Sequence, residues 1–533
     1  MKRKSLLKHT LTTSVLILSI CSVNADTIKV ETDVEASRFL TQSTFGPTLN
    51  SINQLKQLQT YEAWIDNQFE KPRSNLAGKL KAIGNNSVLN TSHMQAAWWN
   101  NIIKRDDQLR QRMAYALSEI FVVGVAGGFA NLEIEREQYY DLLSKNAFGN
   151  FRDLLSDVSL NPIMAKYLSM LNNRKENLDK NTFPDENYAR EVMQLFTIGL
   201  EKLRRNGKAK TVNGKTIPTY DQEDIVNLAK VFTGWTLRSN KNFTSPMVCN
   251  EKYHDYSEKV VLGKKIPANL TCEADMQKAL DILFNHPNTP VFISKQLIQK
   301  FTTSNPSSRY VRAVANKFIN NGNGVRGDLK AVIKEILLYK DARKEYKDTS
   351  LFGKIKEPSI RLAALYRATN ALQGKNPKSL ANVYKHIGQT HLDAPSVFNY
   401  YRPSFAPKGE ISNKKKLAPE LQLATDKHLA STSNYYAFLT RRVNTNDNKR
   451  ITLKLNKELK MVKNDPEAFI EHFNLLLFSG KMKDNTKKVI LEHINSIAYS
   501  SKYNQKKTDN ITKRRANEAL FLMMNAPEQN YIQ

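Results

Sequence analysis

The sequence predicts a mainly α, multi-helix exported protein with one small β-hairpin or irregular insertion at about 207–272. Three observations carry that expectation. Apolar residues recur at helical spacing in segment after segment between residues 34 and 525. A stretch rich in Gly, Lys and Thr interrupts them and holds the hairpin signal Asn213-Gly214. The first 25 residues have the basic, apolar, small-residue order of a secretory signal.

That signal opens the chain. Lys2, Arg3, Lys4 and Lys8 form its basic start, Leu11 to Val23 its apolar middle, and Val23-Asn24-Ala25 a cleavage site before Asp26. An uncleaved anchor fits less well, because the apolar run falls short of the roughly 20 residues needed to span a bilayer. A lipoprotein reading at Cys21 fits poorly too, with Ile20 just before the cysteine. Export places the mature chain in the periplasm, on the outer envelope or outside the cell.

Helical periodicity then marks 34–42, 51–70, 107–123, 136–146, 150–157, 162–171, 185–202 and 221–234. It resumes over 274–285, 290–302, 308–320, 328–338, 357–372 and 417–426, and again over 466–479, 484–499 and 511–525. Residues 236–272 read as non-helical, with Val260-Val-Leu262 a short strand candidate. The expected organisation is a main helical domain over 26–345 with a loop insertion at 203–272. A linker rich in Lys, Asp and Gly around 345–356 leads to a C-terminal helical region, 357–533, packing on the first. No internal repeat is evident.

The helix of 185–202 is the most informative segment. Pro184, Asp185 and Glu186 suit a helix start. Tyr188, Val192, Met193, Leu195, Phe196 and Leu200 fill one side. Glu186, Asn187, Arg190, Glu191, Gln194 and Thr197 share the other, within an arc of roughly 140°. Ile198 falls in that polar arc, a hint that the arc is covered.

Without the four basic residues of 1–25, 76 basic side chains stand against 51 acidic ones, a net charge of +25. An exported protein of this charge with no nucleic-acid module is not expected to bind nucleic acid. Lipopolysaccharide, acidic envelope polysaccharide or a lipid surface are the anionic partners it suits. A basic surface serving solubility alone is the other reading. Two cysteines remain in the mature chain, Cys249 and Cys272, and an oxidising compartment permits their pairing across one local loop.

Several segments together resemble a known family. They are Arg38 to Pro47, Gln108 to Phe121, Tyr139 to Asn150, Phe183 to Leu200, Phe232-Thr-Gly-Trp235, Gly388-Gln389 leading to Pro395-Ser-Val-Phe-Asn399, and Ala519 to Glu528. In this order they resemble the bacterial domain-of-unknown-function 1800 family, from about residue 35 to the end. The resemblance implies an exported, mainly helical protein, often encoded beside a second exported protein of the domain-of-unknown-function 1501 family. It carries over no activity.

The residues themselves offer limited chemistry. Gly-x-Ser-x-Gly, His-Glu-x-x-His, Cys-x-x-Cys-His and a Walker loop are all missing, so no cofactor or metal is expected. Gly322, Gly324 and Gly327 match Gly-x-Gly-x-x-Gly, but a helix precedes them where a dinucleotide site needs a strand. They read as a turn, with Asp328 capping the next helix. On the helix of 107–123, Gln108, Arg112, Tyr115 and Glu119 border the apolar face. Arg112 and Glu119 stand about 10 Å apart along the axis, too far to pair easily. Glu186, Arg190 and Glu191 offer partners, with Glu119 expected to meet Arg190 and Arg112 a glutamate. Such a lattice is either a buried ion-pair network that specifies the fold or the floor of a binding or catalytic site. The pair His254-Asp255 suits proton transfer or metal ligation in the cysteine-bearing loop, or a structural role. His286 reads as a helix-end residue, and His386 and His391 flank Gly388-Gln389. Trp98, Trp99 and Trp235 suit sugar stacking or, more commonly, a helical core. The functional classes left open are a binding or scaffold component and an enzyme acting on an extracellular polymer or small molecule.

Overall fold

A computed structural model describes residues 28–84, 89–344, 352–371, 380, 383–445 and 450–532. The signal of 1–25 and most of the 345–356 linker lie outside them. Among the described residues, α-helices alternate with four two-stranded antiparallel pairs, so the molecule is mainly α. No helix among them is long and apolar enough to cross a membrane.

Local capping sets many of the boundaries. Thr32 accepts from Glu35 N, and the Glu35 side chain bonds back to the cap, opening Asp33–Ser43. Gly46 then turns the chain at φ +121°, where an added Cβ would lie 2.6 Å from Ala364 Cα. The expected helix of 51–70 is two helices, Leu49–Gln57 and Tyr61–Glu70. Gln59 breaks it at φ 65°, and Thr60 caps the second helix by accepting from Ala63 N. Leu76–Gly84 and Thr91–Lys104 fill a region that periodicity left unassigned. The latter buries Trp98 and Trp99, so these rings are core and present no surface to a sugar.

Three other boundaries differ from expectation. The helix of 107–123 stops at Ser118, whose Oγ donates to Tyr115 O. The helix of 185–202 is only Asn187–Gln194. Ile198 N and Gly199 N both bond to Met193 O, a looser closure than the helical one, and Gly199 has a φ of 71°. Ile198 therefore lies beyond the helix, and its burial says nothing about the polar arc. The expected helix of 417–426 is a short 3-10 turn, Pro419–Leu423, followed by a further helix, Asp426–Thr440, that periodicity did not mark. Pro419 starts the turn, and Thr425 ends it by capping the next helix through His428 N.

The insertion forms as small hairpins. Thr211–Val212 pairs with Lys215–Thr216 across Asn213 (φ 49°) and Gly214 (φ 77°). Trp235–Thr236 pairs with Val248–Cys249, and Lys259–Val261 with Lys264–Ile266. A fourth pair is long-range: Lys354–Ile355 with Tyr531–Ile532, near the end of the chain. Pro358–Ala368 packs on Thr91–Lys104 and on Pro466–Phe478, which also touches Asp33–Ser43. One continuous apolar cluster includes Phe39, Trp98, Leu337, Leu365, Phe473 and Leu520.

Candidate functional site

Arg112 and Glu119 enter a buried network, but not the one their spacing suggests. Arg112 is fully buried and donates from Nη2 to Lys300 O at 3.2 Å. Its guanidinium lies 5.2 Å from the Phe301 ring centre and 5.5 Å from that of Phe45. Glu119 pairs with Lys300 Nζ at 3.1 Å and accepts from Asn399 Nδ2 at 3.1 Å. Tyr115 Oη and Gln389 Nε2 each donate to Glu357 Oε2 at 2.8 Å. Lys354 Nζ bridges Glu420, at 3.1 Å, and Glu357, at 3.5 Å. Three cations and three carboxyls from distant parts of the chain thus meet inside the protein.

Their proton affinities diverge. Burial, reinforced by the neighbouring Glu357 carboxylate, pushes Glu119 up to about 8. Burial alone would raise Glu357 as well, but Lys354, Lys300, a hydrogen bond from Glu119 and Arg112 outweigh it and hold it below the usual carboxylate range. The result is an acid–carboxylate pair that shares one proton at neutral pH.

Among the described residues, no ion pair joins Arg112 or Glu119 to Glu186, Arg190 or Glu191. The expected lattice is replaced because Lys300 pairs with Glu119 and Arg190 pairs with Glu186 instead. The two segments do meet, through the Phe121 and Phe196 rings at 5.1 Å.

Glu186 and Arg190 pair within their own helical turn at 2.9 Å, half-exposed, and Gln222 Nε2 donates to both Glu186 oxygens at 3.0 and 2.9 Å. Glu191 differs from them. It is 7% exposed, and its Oε2 is enclosed without a hydrogen-bond partner. No described side chain pairs with its carboxyl. Burial raises its pKa, with Arg190 opposing. Tyr167 stands near enough that Glu191 adds to the effect of burial in pushing its phenol up to about 12. Tyr220 Oη donates to Gln194 Oε1 at 3.3 Å, and its phenol is raised by burial and then by Glu191. Half-buried Arg190, Tyr167 and Tyr220 therefore stand near a carboxyl that has no hydrogen-bond donor.

His254 and Asp255 do not converge on one centre. His254 is fully buried, its Nε2 3.2 Å from Asp275 Oδ2 and its Nδ1 3.0 Å from Thr233 O. Lys259 Nζ meets the same Asp275 oxygen at 2.5 Å. Asp255 folds back on its own turn and accepts from Ser257 N at 2.8 Å. Asp275 was not legible as the partner, since it lies 21 residues from His254 on the helix Cys272–Asn285. Cys249 and Cys272 are bonded, with Cα atoms 6.0 Å apart. Gly234 (φ +89°) lets the Phe232-Thr-Gly-Trp235 segment approach that bond. An added Cβ there would lie 3.0 Å from Cys272 Sγ and 3.1 Å from Asn250 O. Trp235 is 2% exposed and is core as well.

His391 stacks on Trp98, ring centres 4.8 Å apart, and meets Glu137 Oε1 at 2.8 Å. Burial, then Arg136, drives this imidazole well below its usual range, and burial drives Glu137 well above its own. Glu137 was missed because its partner is 254 residues away. His386 stacks on Tyr435 at 4.7 Å. His286 is held down to about 4 by burial and accepts from Asn288 N at the helix end. Gly322, Gly324 and Gly327 form a turn after Ser308–Ile319, and Asp328 caps Leu329–Leu338 by accepting from Lys330 N and Ala331 N.

A family model described as "Protein of unknown function (DUF1800)" matches residues 38–531. Comparison with curated proteins and with solved structures finds no match.

Proposed function

The chain belongs to the DUF1800 family of proteins of unknown function, and on that premise we propose that it is an exported binding or scaffold component whose ligand contacts Glu191. One observation carries the reading. Of the five charged candidates on the two helices, Arg112, Glu119, Glu186 and Arg190 find protein partners, while Glu191 is enclosed and unpaired. A buried carboxyl without a donor is costly unless something else satisfies it. A ligand's hydroxyl, amine or cation would do so. The partner we propose is an exported or envelope protein, with a member of the DUF1501 family as the first to test. The paired cysteines support an oxidising compartment.

A second reading, an enzyme acting on an extracellular polymer, is favoured by the raised pKa of Glu191 beside the Tyr167 phenol. A carboxyl whose pKa is raised by burial is suited to act as a general acid. The experiment is co-purification of wild type and Glu191→Gln with the envelope fraction and with a co-expressed DUF1501 protein. The expected result is loss of the partner at an unchanged melting temperature. Equal co-purification of both forms would overturn the binding site. Turnover of an envelope polymer that disappears in Glu191→Gln would favour the enzyme instead.

A further inference from the structure

We infer that an open cleft among the helices Leu49–Gln57, Tyr61–Glu70, Thr91–Lys104 and Pro358–Ala368 binds a segment of an acidic oligosaccharide. The cleft holds about 940 Å³, near the upper end of the roughly 300–1,000 Å³ usual for small-ligand sites. No residue of Asn187–Gln194 lines it, so it is separate from the Glu191 site.

Charge points to an anion. Lys71, Lys104, Arg105 and Arg367 line the cleft against a single acid, Asp106. Burial pushes Arg367 down to about 10, with Asp106 opposing, which leaves it protonated at neutral pH. Lys71, Lys104 and Arg105 form no ion pair with a described residue, so their charge is available to a ligand.

The neutral lining points to a polyol. Asn50, Gln54, Gln57, Asn67 and Asn370 all line the cleft and are exposed. Each amide both donates and accepts, as sugar hydroxyls require. Bases have nothing to stack on, because the lining rings Trp64 and Tyr366 are 4% and 0% exposed. An acyl chain has little to lie against: of the aliphatic lining, Leu40 and Ala371 are buried and only Leu58 and Ile103 are half-buried.

The walls are tied together in advance. Gln108 Nε2 donates to Ile102 O at 3.0 Å and Arg105 O at 2.7 Å, while its Oε1 accepts from Phe45 N at 3.3 Å. Arg367 donates from Nε to Gly46 O at 2.7 Å and from Nη1 to Ile103 O at 2.8 Å. These bonds hold three walls in register before a ligand arrives, which lowers the ordering cost of binding.

The test is calorimetric titration of the purified protein with an oligogalacturonate, a chain of uronic acids, and with the neutral maltoheptaose. The oligogalacturonate should bind at least tenfold more tightly. Lys104→Glu with Arg105→Glu, both exposed, should weaken it tenfold or more at an unchanged melting temperature. Gln54→Ala should cost a few-fold more. Lys506→Glu with Arg514→Glu reverses the same number of charges on Gln505–Asn525 and should leave Kd within twofold. No binding, equal affinity for the neutral sugar, or equal loss from the two double variants would each overturn the inference. Glu191→Gln should bind the oligogalacturonate as wild type does, so failure here is distinguishable from failure at Glu191.

Discussion

Glu119→Gln tests the shared proton of the buried network. In the unfolded chain Glu119 titrates near 4.5; in the fold burial and Glu357 push it up to about 8. Between those values the folded state binds the proton that the unfolded state has released. Stability from this group is thus complete below about 4.5 and is lost as pH rises through about 8. At ~1.36 kcal/mol per pH unit, the loss across that window is roughly 5 kcal/mol. Its carboxyl is 5% exposed, so water screens little of it. Glu357 has the opposite sign: its depressed pKa contributes stability above about 4.5 that disappears in acid. Glutamine keeps a donor toward Glu357 but cannot titrate. Urea midpoints for both proteins at intervals from pH 5 to pH 9 should show wild type losing several kcal/mol relative to Glu119→Gln. Parallel curves would refute the shared proton.

Other outcomes follow from single positions. Gly46→Ala should lower stability by about 1–3 kcal/mol, because its Cβ has no room against the Ala364 backbone and φ +121° disfavours a side chain; thermal unfolding checks it. Cys249→Ser with Cys272→Ser should cost about 3 kcal/mol in the chain-entropy account, and a reducing agent should lower the melting temperature of wild type only. Asp275→Asn removes the charge that holds buried Lys259, so a loss of about 3–5 kcal/mol is expected in urea unfolding. N-terminal sequencing of the envelope or secreted protein should begin at Asp26; a protein starting at Met1 would remove the export reading.

What could be read from the sequence was local. The Asn213-Gly214 hairpin needs only two residues that accept positive φ. Asp328 caps its helix through amides two and three residues on. Cys249 and Cys272 were legible as a pair because the mature chain offers no other cysteine. Family membership rested on long contiguous segments of the same kind. Partner choice was not local. Glu119 meets Lys300 and Asn399, His391 meets Glu137, and Lys354 pairs with Ile532, across sequence separations of 178 to 280 residues. Periodicity says which face of a helix is apolar. It does not say which distant cation will arrive at a charged border, because that depends on how every intervening helix packs. The helix of 185–202 illustrates both limits. Asn187, Arg190, Glu191 and Gln194 lie on the helix Asn187–Gln194, whereas Thr197 lies past its end. Its early end and the enclosure of Glu191 without a partner were decided by tertiary packing, which alone determines where water and neighbouring charges can reach.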